Sequence, residues 1–254
     1  LEAKSMDAFD LSNQRIAIAG AAGGIGQETA KLVAGMGADV MLSDLESPAP
    51  LADYISGLGR TATATALDVT NREAVEAWAN ECGLVNAMID CAAICPFDEW
   101  NDAGWDEVAA RVFTVNLQGP LNLTRAFMAG MRDNTGGRIA LIGSIAGRVA
   151  YEYGSVYCGV KAAEKSITQT LRLELNGTGV RVGTLDPGLA LTEFSIVRFK
   201  GDEEKAGLPY VGLDPLVAED IAEAMVWMAT RPPHVCIDEI LIKCTAQAAI
   251  HKTH

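Results

Sequence analysis

Two side chains in the stretch "YCGVK" have the types and the spacing needed to exchange a proton. Tyr157 and Lys161 are four residues apart, so both lie on one face if the stretch is helical. A free phenol and a free ammonium group have pKa values of about 10 and about 10.4, and neither is a useful base at neutral pH. A fixed positive charge beside a phenol favours the phenolate. The pair therefore indicates either a tyrosine activated for proton transfer or two side chains that merely share a helix.

Two more polar residues could join this pair. Ser144 ends the apolar run "GRIALIGS", 13 residues before Tyr157. Ligands of parallel sheets bind beyond the carboxyl ends of strands, so Ser144 and Tyr157 are expected to face one cleft. Asn116 interrupts the otherwise apolar helical pattern "VFTVNLQG". Alone, an asparagine in such a pattern is more often a core or capping residue.

The stretch "AGAAGGIGQETA" (19–30) has the composition of a phosphate-binding turn. Gly20, Gly24 and Gly26 separate an apolar run from a helical pattern. Glycine permits a tight turn and a close approach to a pyrophosphate, and the helix beyond offers free N–H groups. The spacing is Gly-x-x-x-Gly-x-Gly, and a turn without a ligand is the competing interpretation. The flanking strand and helix favour a dinucleotide.

An acidic residue supports the same interpretation. Asp44 ends the second apolar run, 18 residues after Gly26, where a dinucleotide fold holds the adenosine ribose hydroxyls. Asp44 would repel a 2′-phosphate, Leu45 follows it, and the glycine loop contains no Arg or Lys. The sequence therefore predicts NAD rather than NADP as cofactor.

The elements that must position these residues alternate along the chain, which predicts an α/β fold. Alternation implies a Rossmann-like, doubly wound parallel sheet of about seven strands with helices on both faces. The segment 189–216 has few regular signals and is predicted to be a substrate loop. Strands are predicted at 15–20, 38–44, 61–69, 85–92, 137–144, 180–187 and 238–243, and helices at 25–37, 71–81, twice within 100–131, at 155–175 and at 218–230.

Composition limits the possible functions. The 254 residues are 49% apolar and 21% charged, and we expect one domain over 1–254 with a flexible N-terminal segment at 1–10. A net charge of −13 argues against nucleic-acid and membrane partners. No apolar run is long enough to span a membrane, and six cysteines without a Cys-x-x-Cys pair read as reduced packing residues of a cytoplasmic protein. The three histidines show no metal-ligand spacing, so we predict no metal.

Taken together, these motifs resemble those of the short-chain dehydrogenase/reductase family in its single-domain form, over residues 11–245. "AGAAGGIG" is similar to the family's glycine motif, with Ala19 where threonine is usual. The remaining matches are "LDV" with Asp68, "VNLQG" with Asn116, "IGS" with Ser144, "YCGVK" with Tyr157 and Lys161, and "DPGLALT" (186–192).

The resemblance implies a role for each matched residue. Tyr157 would be the general acid/base, and Lys161, together with the nicotinamide, would lower its pKa and bind the nicotinamide ribose. Ser144 would hold the substrate oxygen, and Asn116 would place a water on a proton path to Lys161. The resemblance also implies a homo-oligomer, dimer or tetramer, acting on a small molecule. The implied cofactor contacts are Gly20, Gly24, Ile25, Gly26, Asp44, Leu45, Asp68, Val69, Cys91, Ala92, Tyr157, Lys161, Pro187, Gly188, Leu189 and Thr192.

The sequence departs from the family pattern at three places. "DCAA" (90–93) replaces the usual Asn-Asn-Ala-Gly, Asp186 replaces a frequent asparagine, and "DEILIKCTAQA" resembles the Pro-Thr-x-Gln tail of some hydroxy-acid and aldehyde-reducing members. The leading hypothesis is hydride transfer between NAD and a secondary alcohol or ketone. The alternatives are a cofactor-binding regulator without turnover and an NAD-dependent epimerase or dehydratase.

Residues flanking the tyrosine and in the substrate loop are the candidates for the substrate pocket. The competing interpretation is that the loop aromatics pack on the protein or on a neighbouring subunit. The candidates are Phe97, Val149, Ala150, Glu152, Tyr153, Phe194, Ile196, Phe199 and Tyr210.

Overall fold

A computed structural model describes residues 10–96, 102–134, 136–250 and 252–253. The β-strands are β1 (Arg15–Ala19), β2 (Asp39–Asp44), β3 (Ala62–Ala66), β4 (Ala87–Asp90), β5 (Gly137–Ile142), β6 (Val180–Pro187), β7 (Glu239–Ile242), β8 (Gln247–Ala249) and β9 (Lys252–Thr253). The α-helices are α1 (Gly24–Gly35), α2 (Ala49–Gly57), α3 (Arg72–Cys82), α4 (Trp105–Phe113), α5 (Gly119–Asp133), α6 (Ser155–Glu174), α7 (Glu193–Arg198), α8 (Glu203–Gly207) and α9 (Ala218–Ala229).

The first seven strands form one parallel sheet in the order β3-β2-β1-β4-β5-β6-β7. The chain moves outwards from β1 to β3, returns to β4 beside β1, and continues outwards to β7. This reversal places a crevice at the carboxyl ends of β1 and β4, which is where open α/β sheets bind ligands. The predicted doubly wound fold is confirmed.

Apolar side chains of the sheet point to both faces because each face is covered by helices. One cluster joins the sheet to α1, α2 and α9, and includes Ile18, Val33 and Met225. The other joins it to α3 and α5, where the Trp78 and Phe127 rings meet edge to face, with 5.3 Å between their centroids. Burial on both faces explains why the strands are nearly continuous apolar runs.

Three features differ from the sequence-based expectation. The 189–216 segment is not irregular, since it contains α7, α8 and a 3₁₀ turn at Leu208–Tyr210. The helices expected within 100–131 are joined by a π-helical turn at Thr114–Gln118. Helix α2 and the β8–β9 pair were not expected from the sequence. Short helices give too few residues for a 3.6-residue period to be visible.

The expected flexible segment at 1–10 lies outside the described residues except for Asp10. The side chain of Asp10 accepts a hydrogen bond from the Ser12 backbone N–H at 2.8 Å. No helix in the described part of the chain is long and apolar enough to cross a membrane.

Candidate active site

Two cavities adjoin each other at the carboxyl edge of the sheet. The glycine-loop cavity has a volume of about 340 Å³ and the Ser144–Tyr157 cavity a volume of about 440 Å³. Both volumes lie within the range of small-molecule sites. The two cavities share wall residues, namely Ile25, Cys91, Ala93, Thr192 and Phe194. One extended ligand can therefore occupy both.

Backbone geometry shapes the first cavity. Gly20 has φ +75°, and a Cβ there would lie 2.5 Å from the Ala92 nitrogen, so only glycine fits. A Cβ on Gly26 would overlap the Gly20 carbonyl oxygen. Helix α1 begins after Gly23, and no side chain caps its first N–H groups. An open helix N-terminus beside a glycine turn suits a pyrophosphate.

Two carboxylates contribute to the wall of the glycine-loop cavity. Asp44 accepts hydrogen bonds from the backbone N–H groups of Ala22 at 2.8 Å and Leu45 at 2.7 Å. These bonds fix its carboxylate in the cavity wall, next to the exposed Leu45. Asp68 accepts bonds from the Thr70 N–H at 2.9 Å and hydroxyl at 2.7 Å. Asp44 and Asp68, predicted to lie near the adenosine ribose and the adenine, are therefore in the wall of the same cavity.

Sequence reasoning missed two charged residues of this cavity. Arg111 on α4 and Glu193 on α7 contribute to its wall. Both come from segments far from the glycine loop in sequence. The Glu193 carboxylate lies near the start of α1, 3.1 Å from where a Cβ on Gly24 would be.

Most of the remaining predicted contacts also lie in the two walls. The glycine-loop cavity contains Val69, Ala92 and the glycines of the loop. The Ser144–Tyr157 cavity contains Pro187, Gly188 and Leu189, which follow the carboxyl end of β6. Lys161 and Asn116 are buried behind the cavities and belong to neither wall.

Ser144 and Tyr157 face the second cavity from β5 and α6. Ser144 lies two residues beyond β5, and its hydroxyl accepts a hydrogen bond from the Ala146 N–H at 3.1 Å. Burial raises the pKa of Tyr157 because it disfavours the phenolate, and Cys95 acts in the same direction. A hydrogen bond with Ser144 acts against this rise and stabilises the phenolate. The two residues expected to share a cleft therefore interact directly.

The environment of Lys161 differs in part from the one expected from the sequence. It lies on the same helix as Tyr157, but its ammonium donates to the Ile142 carbonyl at 2.6 Å and to the Glu164 carboxylate at 2.8 Å. The dominant influence on the pKa of Tyr157 is burial, which raises it. A lowered pKa in the presence of the nicotinamide remains a prediction for the loaded protein.

Asn116 is held by a single residue. Its side-chain oxygen accepts from the Ile94 N–H at 2.8 Å, and its amide donates to the Ile94 carbonyl at 2.6 Å. It sits in the π-helical turn, a feature that often occurs at functional sites. These two hydrogen bonds connect the turn between α4 and α5 to the segment that follows β4.

The "DCAA" departure lies between the two cavities. Asp90 is fully buried, and burial raises its pKa to about 7, although its carboxylate accepts a hydrogen bond from the Ala92 N–H at 2.9 Å. Burial also raises the pKa of the Cys91 thiol. The hydrogen bond between Asp90 and the Ala92 N–H thus replaces part of the hydrogen bonding that the asparagine side chains of the family pattern would provide.

Helix α7 and the C-terminal segment close the second cavity. The Phe194 ring lies 6.2 Å from the Tyr157 ring, measured between centroids. The Tyr210 hydroxyl donates to the Ala190 carbonyl at 2.7 Å and lies 2.5 Å from the Ser195 hydroxyl. These bonds hold the 189–216 segment against the site.

Two buried donors in this wall have no partner within the described residues. Arg198 lines the cavity next to Tyr151 and Phe199, and its Nε makes no hydrogen bond. Gln247 accepts from the Leu189 N–H at 2.9 Å, and its Nε2 is likewise without a partner. Unpaired buried donors are costly, so they favour an acceptor-rich ligand. The "CTAQA" tail signalled Gln247, whereas no sequence pattern signalled Arg198.

The pocket candidates from sequence are only partly correct. Glu152, Tyr153, Phe194, Phe199 and Tyr210 line the Ser144–Tyr157 cavity. Val149, Ala150 and Ile196 belong to neither wall, because Val149 and Ala150 precede the turn that enters α6 and Ile196 lies on the outer side of α7. Phe97 lies outside the described residues. The described ranges contain no group of three His, Cys, Asp or Glu side chains placed to hold a metal ion.

Known proteins are similar to this chain in sequence and in fold. Residues 14–202 match the short chain dehydrogenase family. An uncharacterized oxidoreductase of Mycobacterium tuberculosis is 36% identical over 250 residues, covering 94% of each chain. An NADP-dependent 3-hydroxy acid dehydrogenase of Salmonella typhi is 38% identical over 192 residues, covering 72% of this chain and 76% of the relative.

A solved structure agrees over nearly the whole chain. The closed form of a serine dehydrogenase complexed with NADP⁺ superposes with a TM-score of 0.87 and 30% identity, covering 95% of this chain and 99% of the other. Sequence and fold thus agree over most of the chain. The chain belongs to the short-chain dehydrogenase family of oxidoreductases.

Proposed function

We propose that the chain transfers a hydride between a nicotinamide dinucleotide and a carbon that carries a hydroxyl or carbonyl oxygen. The observation that carries this proposal is the wall shared by the two cavities. A dinucleotide on the glycine loop would extend past Ile25 and Thr192 towards Ser144 and Tyr157. The nicotinamide dinucleotide would supply the hydride chemistry when bound, and the protein would orient it and set the charge around it.

The chain's own residues would handle the oxygen and its proton. In oxidation, the Tyr157 phenolate accepts the proton of the substrate hydroxyl. Ser144 donates a hydrogen bond to the substrate oxygen and stabilises charge that develops on it. Lys161 lies buried behind Tyr157 and would bind the nicotinamide ribose. Asn116 would contribute through the Ile94 backbone that it fixes.

We further propose that the substrate carries a carboxylate. Arg198 is a cation in the wall of the Ser144–Tyr157 cavity, and its buried Nε makes no hydrogen bond within the described residues. A planar guanidinium recognises carboxylates well. Relatives named 3-hydroxy acid dehydrogenase and serine dehydrogenase support the same chemistry. We therefore propose hydroxy acids and the corresponding oxo acids as the substrate class.

We propose NAD as the cofactor, although the 3-hydroxy acid dehydrogenase is named NADP-dependent and the serine dehydrogenase structure holds NADP⁺. The Asp44 carboxylate is fixed by two backbone bonds and cannot easily turn away from a 2′-phosphate. Like charges about 4 Å apart oppose binding by about 4 kcal/mol at an effective dielectric near 20, and water and salt reduce this figure. Arg111 in the same wall is the residue that could offset the repulsion. The proposal therefore requires that it does not reach that phosphate.

The proposal extends to assembly and location. We propose a cytoplasmic homo-oligomer, dimer or tetramer. The edge strand β7 and helix α9 expose Leu241 and Trp227, and apolar side chains exposed at a sheet edge suit a second copy.

The second candidate function is a dinucleotide-binding regulator without turnover. The observation that favours it is the "DCAA" departure, which places Cys91 and the buried Asp90 between the two cavities. An epimerase or dehydratase is the third candidate. It would use the bound cofactor without net formation of reduced nicotinamide.

The test measures reduced nicotinamide by absorbance, with NAD and NADP in parallel. The substrates are short-chain 3-hydroxy acids and, as matched controls, their neutral methyl esters. The proposal expects turnover with NAD and the acids, and slower turnover with the esters. Cofactor binding without turnover across the panel would favour the regulator, and faster turnover with NADP would overturn the proposed cofactor.

A further inference from the structure

A buried carboxylate contacts the ammonium of Lys161. Glu164 lies three residues after Lys161 on α6, so both side chains leave the helix on the same side. The Oε2 atom of Glu164 lies 2.8 Å from Nζ, and the two side chains are 4% and 2% exposed. The family pattern that matches Tyr157 and Lys161 assigns no role to Glu164.

Other charged groups surround this pair. Asp90 ends β4 and pairs with Leu141 of β5. The next residue of β5 is Ile142, whose carbonyl accepts the second hydrogen bond of the Lys161 ammonium. Asp186, at the end of β6, is held by Arg148, which also pairs with Glu239. Lys165 on α6 pairs with Glu239 as well. Arg148 and Lys165 are thus engaged by Asp186 and Glu239, and the direct partner of Lys161 is Glu164.

The charge of the pair follows from its burial. Burial raises the pKa of Glu164, while the charge of Lys161 and the hydrogen bond that its ammonium donates act in the opposite direction. A buried ammonium without a counter-charge is strongly disfavoured. The 2.8 Å contact and its hydrogen bond therefore favour a pair in which Lys161 and Glu164 are both charged and carry no net charge together.

We propose that Glu164 is a positioning residue, which fixes the Lys161 ammonium and cancels its charge where the nicotinamide ring enters. This rests on the proposed binding of a nicotinamide dinucleotide. An oxidised nicotinamide ring carries a positive charge, and a reduced ring is neutral. An uncompensated ammonium behind Tyr157 would repel the oxidised ring alone. Glu164 therefore adjusts the relative affinity of the site for the two cofactor forms.

The experiment measures the dissociation constants of NAD and NADH by tryptophan fluorescence, without substrate. Glu164→Gln keeps the shape of the side chain and removes its charge. We expect the ratio Kd(NAD)/Kd(NADH) to rise at least about threefold, since one charge is lost near the ring in a poorly solvated site. Glu164→Asp keeps the charge and is expected to keep the ratio within twofold of wild type.

The matched control is Thr168→Val. Thr168 is buried one turn further along α6 and donates to the Glu164 backbone carbonyl at 2.8 Å. The control perturbs the same helix without a change in charge, so its ratio should equal that of wild type. An equal loss of NAD and NADH affinity in Glu164→Gln would mean that Glu164 is only structural, and would overturn the proposal.

A second variant covers the case in which Glu164→Gln does not fold. Lys161→Met with Glu164→Leu removes both partners, and apolar replacement of a buried ion pair is often tolerated. If the pair is neutral, the ratio stays within twofold of wild type. A fall of threefold or more would show that Lys161 carries an uncompensated charge, which contradicts the proposal. If wild-type protein binds neither cofactor form, the proposed function itself fails.

Discussion

The walls of the two adjoining cavities come from different sources. The glycine-loop cavity is shaped mainly by backbone, at the β1–α1 turn and at the ends of β2 and β4. The Ser144–Tyr157 cavity is shaped by side chains from β5, α6, α7 and the C-terminal segment, which are distant in sequence. A site shaped by the backbone is visible in the sequence as a short motif. A site formed by side chains that converge from distant segments is visible only as scattered single residues. Variants that affect one cavity and spare the other test whether the two act separately.

The largest expected effect comes from the Ser144–Tyr157 cavity. Tyr157→Phe keeps the ring and removes the proton carrier, so kcat should fall at least ~10²-fold. The dissociation constant for NADH should change less than threefold, because the phenol is not needed to hold the dinucleotide. Tyr54→Phe, at an exposed tyrosine of α2, serves as the control and should leave both quantities unchanged. Near-normal turnover of Tyr157→Phe would remove Tyr157 from the chemistry.

The next effect concerns the substrate end of the same cavity. Arg198→Leu should lower kcat/KM for a 3-hydroxy acid by roughly 10- to 100-fold, since it removes a hydrogen bond to a charged group. The corresponding methyl ester should lose less than threefold. Arg125→Leu, at an exposed arginine of α5, is the matched control. Equal losses for acid and ester would show that Arg198 does not bind the carboxylate.

A third variant acts on the glycine-loop cavity alone. Wild type should prefer NAD over NADP by more than about tenfold in kcat/KM, because half of the repulsion estimated at Asp44 already corresponds to this factor. Asp44→Ser with Leu45→Arg should shrink or reverse the preference by removing the repulsion and adding a phosphate partner. Asp53→Ser, an exposed aspartate on α2, should leave the ratio as in wild type. Equal use of both cofactors by wild type would contradict the role of Asp44.

The smallest expected effect concerns the 189–216 segment, which contributes Phe194, Arg198 and Tyr210 to the Ser144–Tyr157 cavity. If it acts as a lid, limited proteolysis should cut the free protein first within this segment. NAD together with a hydroxy acid should slow that cleavage a few-fold, because closed segments are opened less often. Identical cleavage rates with and without ligands would speak against a lid.

Much of the fold could be predicted from the sequence because its signals are local. The apolar runs matched the seven strands of the parallel sheet to within a few residues, and β6 was predicted at its exact bounds, 180–187. Gly20 and Gly26 follow from the steric demands of one turn. The short helices α7 and α8 were missed because tertiary contacts, such as those of Tyr210 with Ala190 and Ser195, stabilise them.

The side-chain partners could not be predicted in the same way. Arg198 and Gln247 meet in one wall only after the chain has folded, and nothing in their local sequence says that Nε or Nε2 lacks a partner. The Lys161–Glu164 spacing was visible, but its meaning depends on burial. Burial makes the pair a tight contact, whereas an exposed pair at this spacing contributes little.

Isotope transfer tests the central claim most directly. Wild-type protein is incubated with NADH deuterated at the transferable position of the nicotinamide and with a panel of short-chain 3-oxo acids, and the products are analysed by mass spectrometry. The account predicts a 3-hydroxy acid that carries one deuterium on the carbinol carbon, formed at least ~10²-fold more slowly by Tyr157→Phe. Bound NADH with no labelled hydroxy acid from any member of the panel would contradict it.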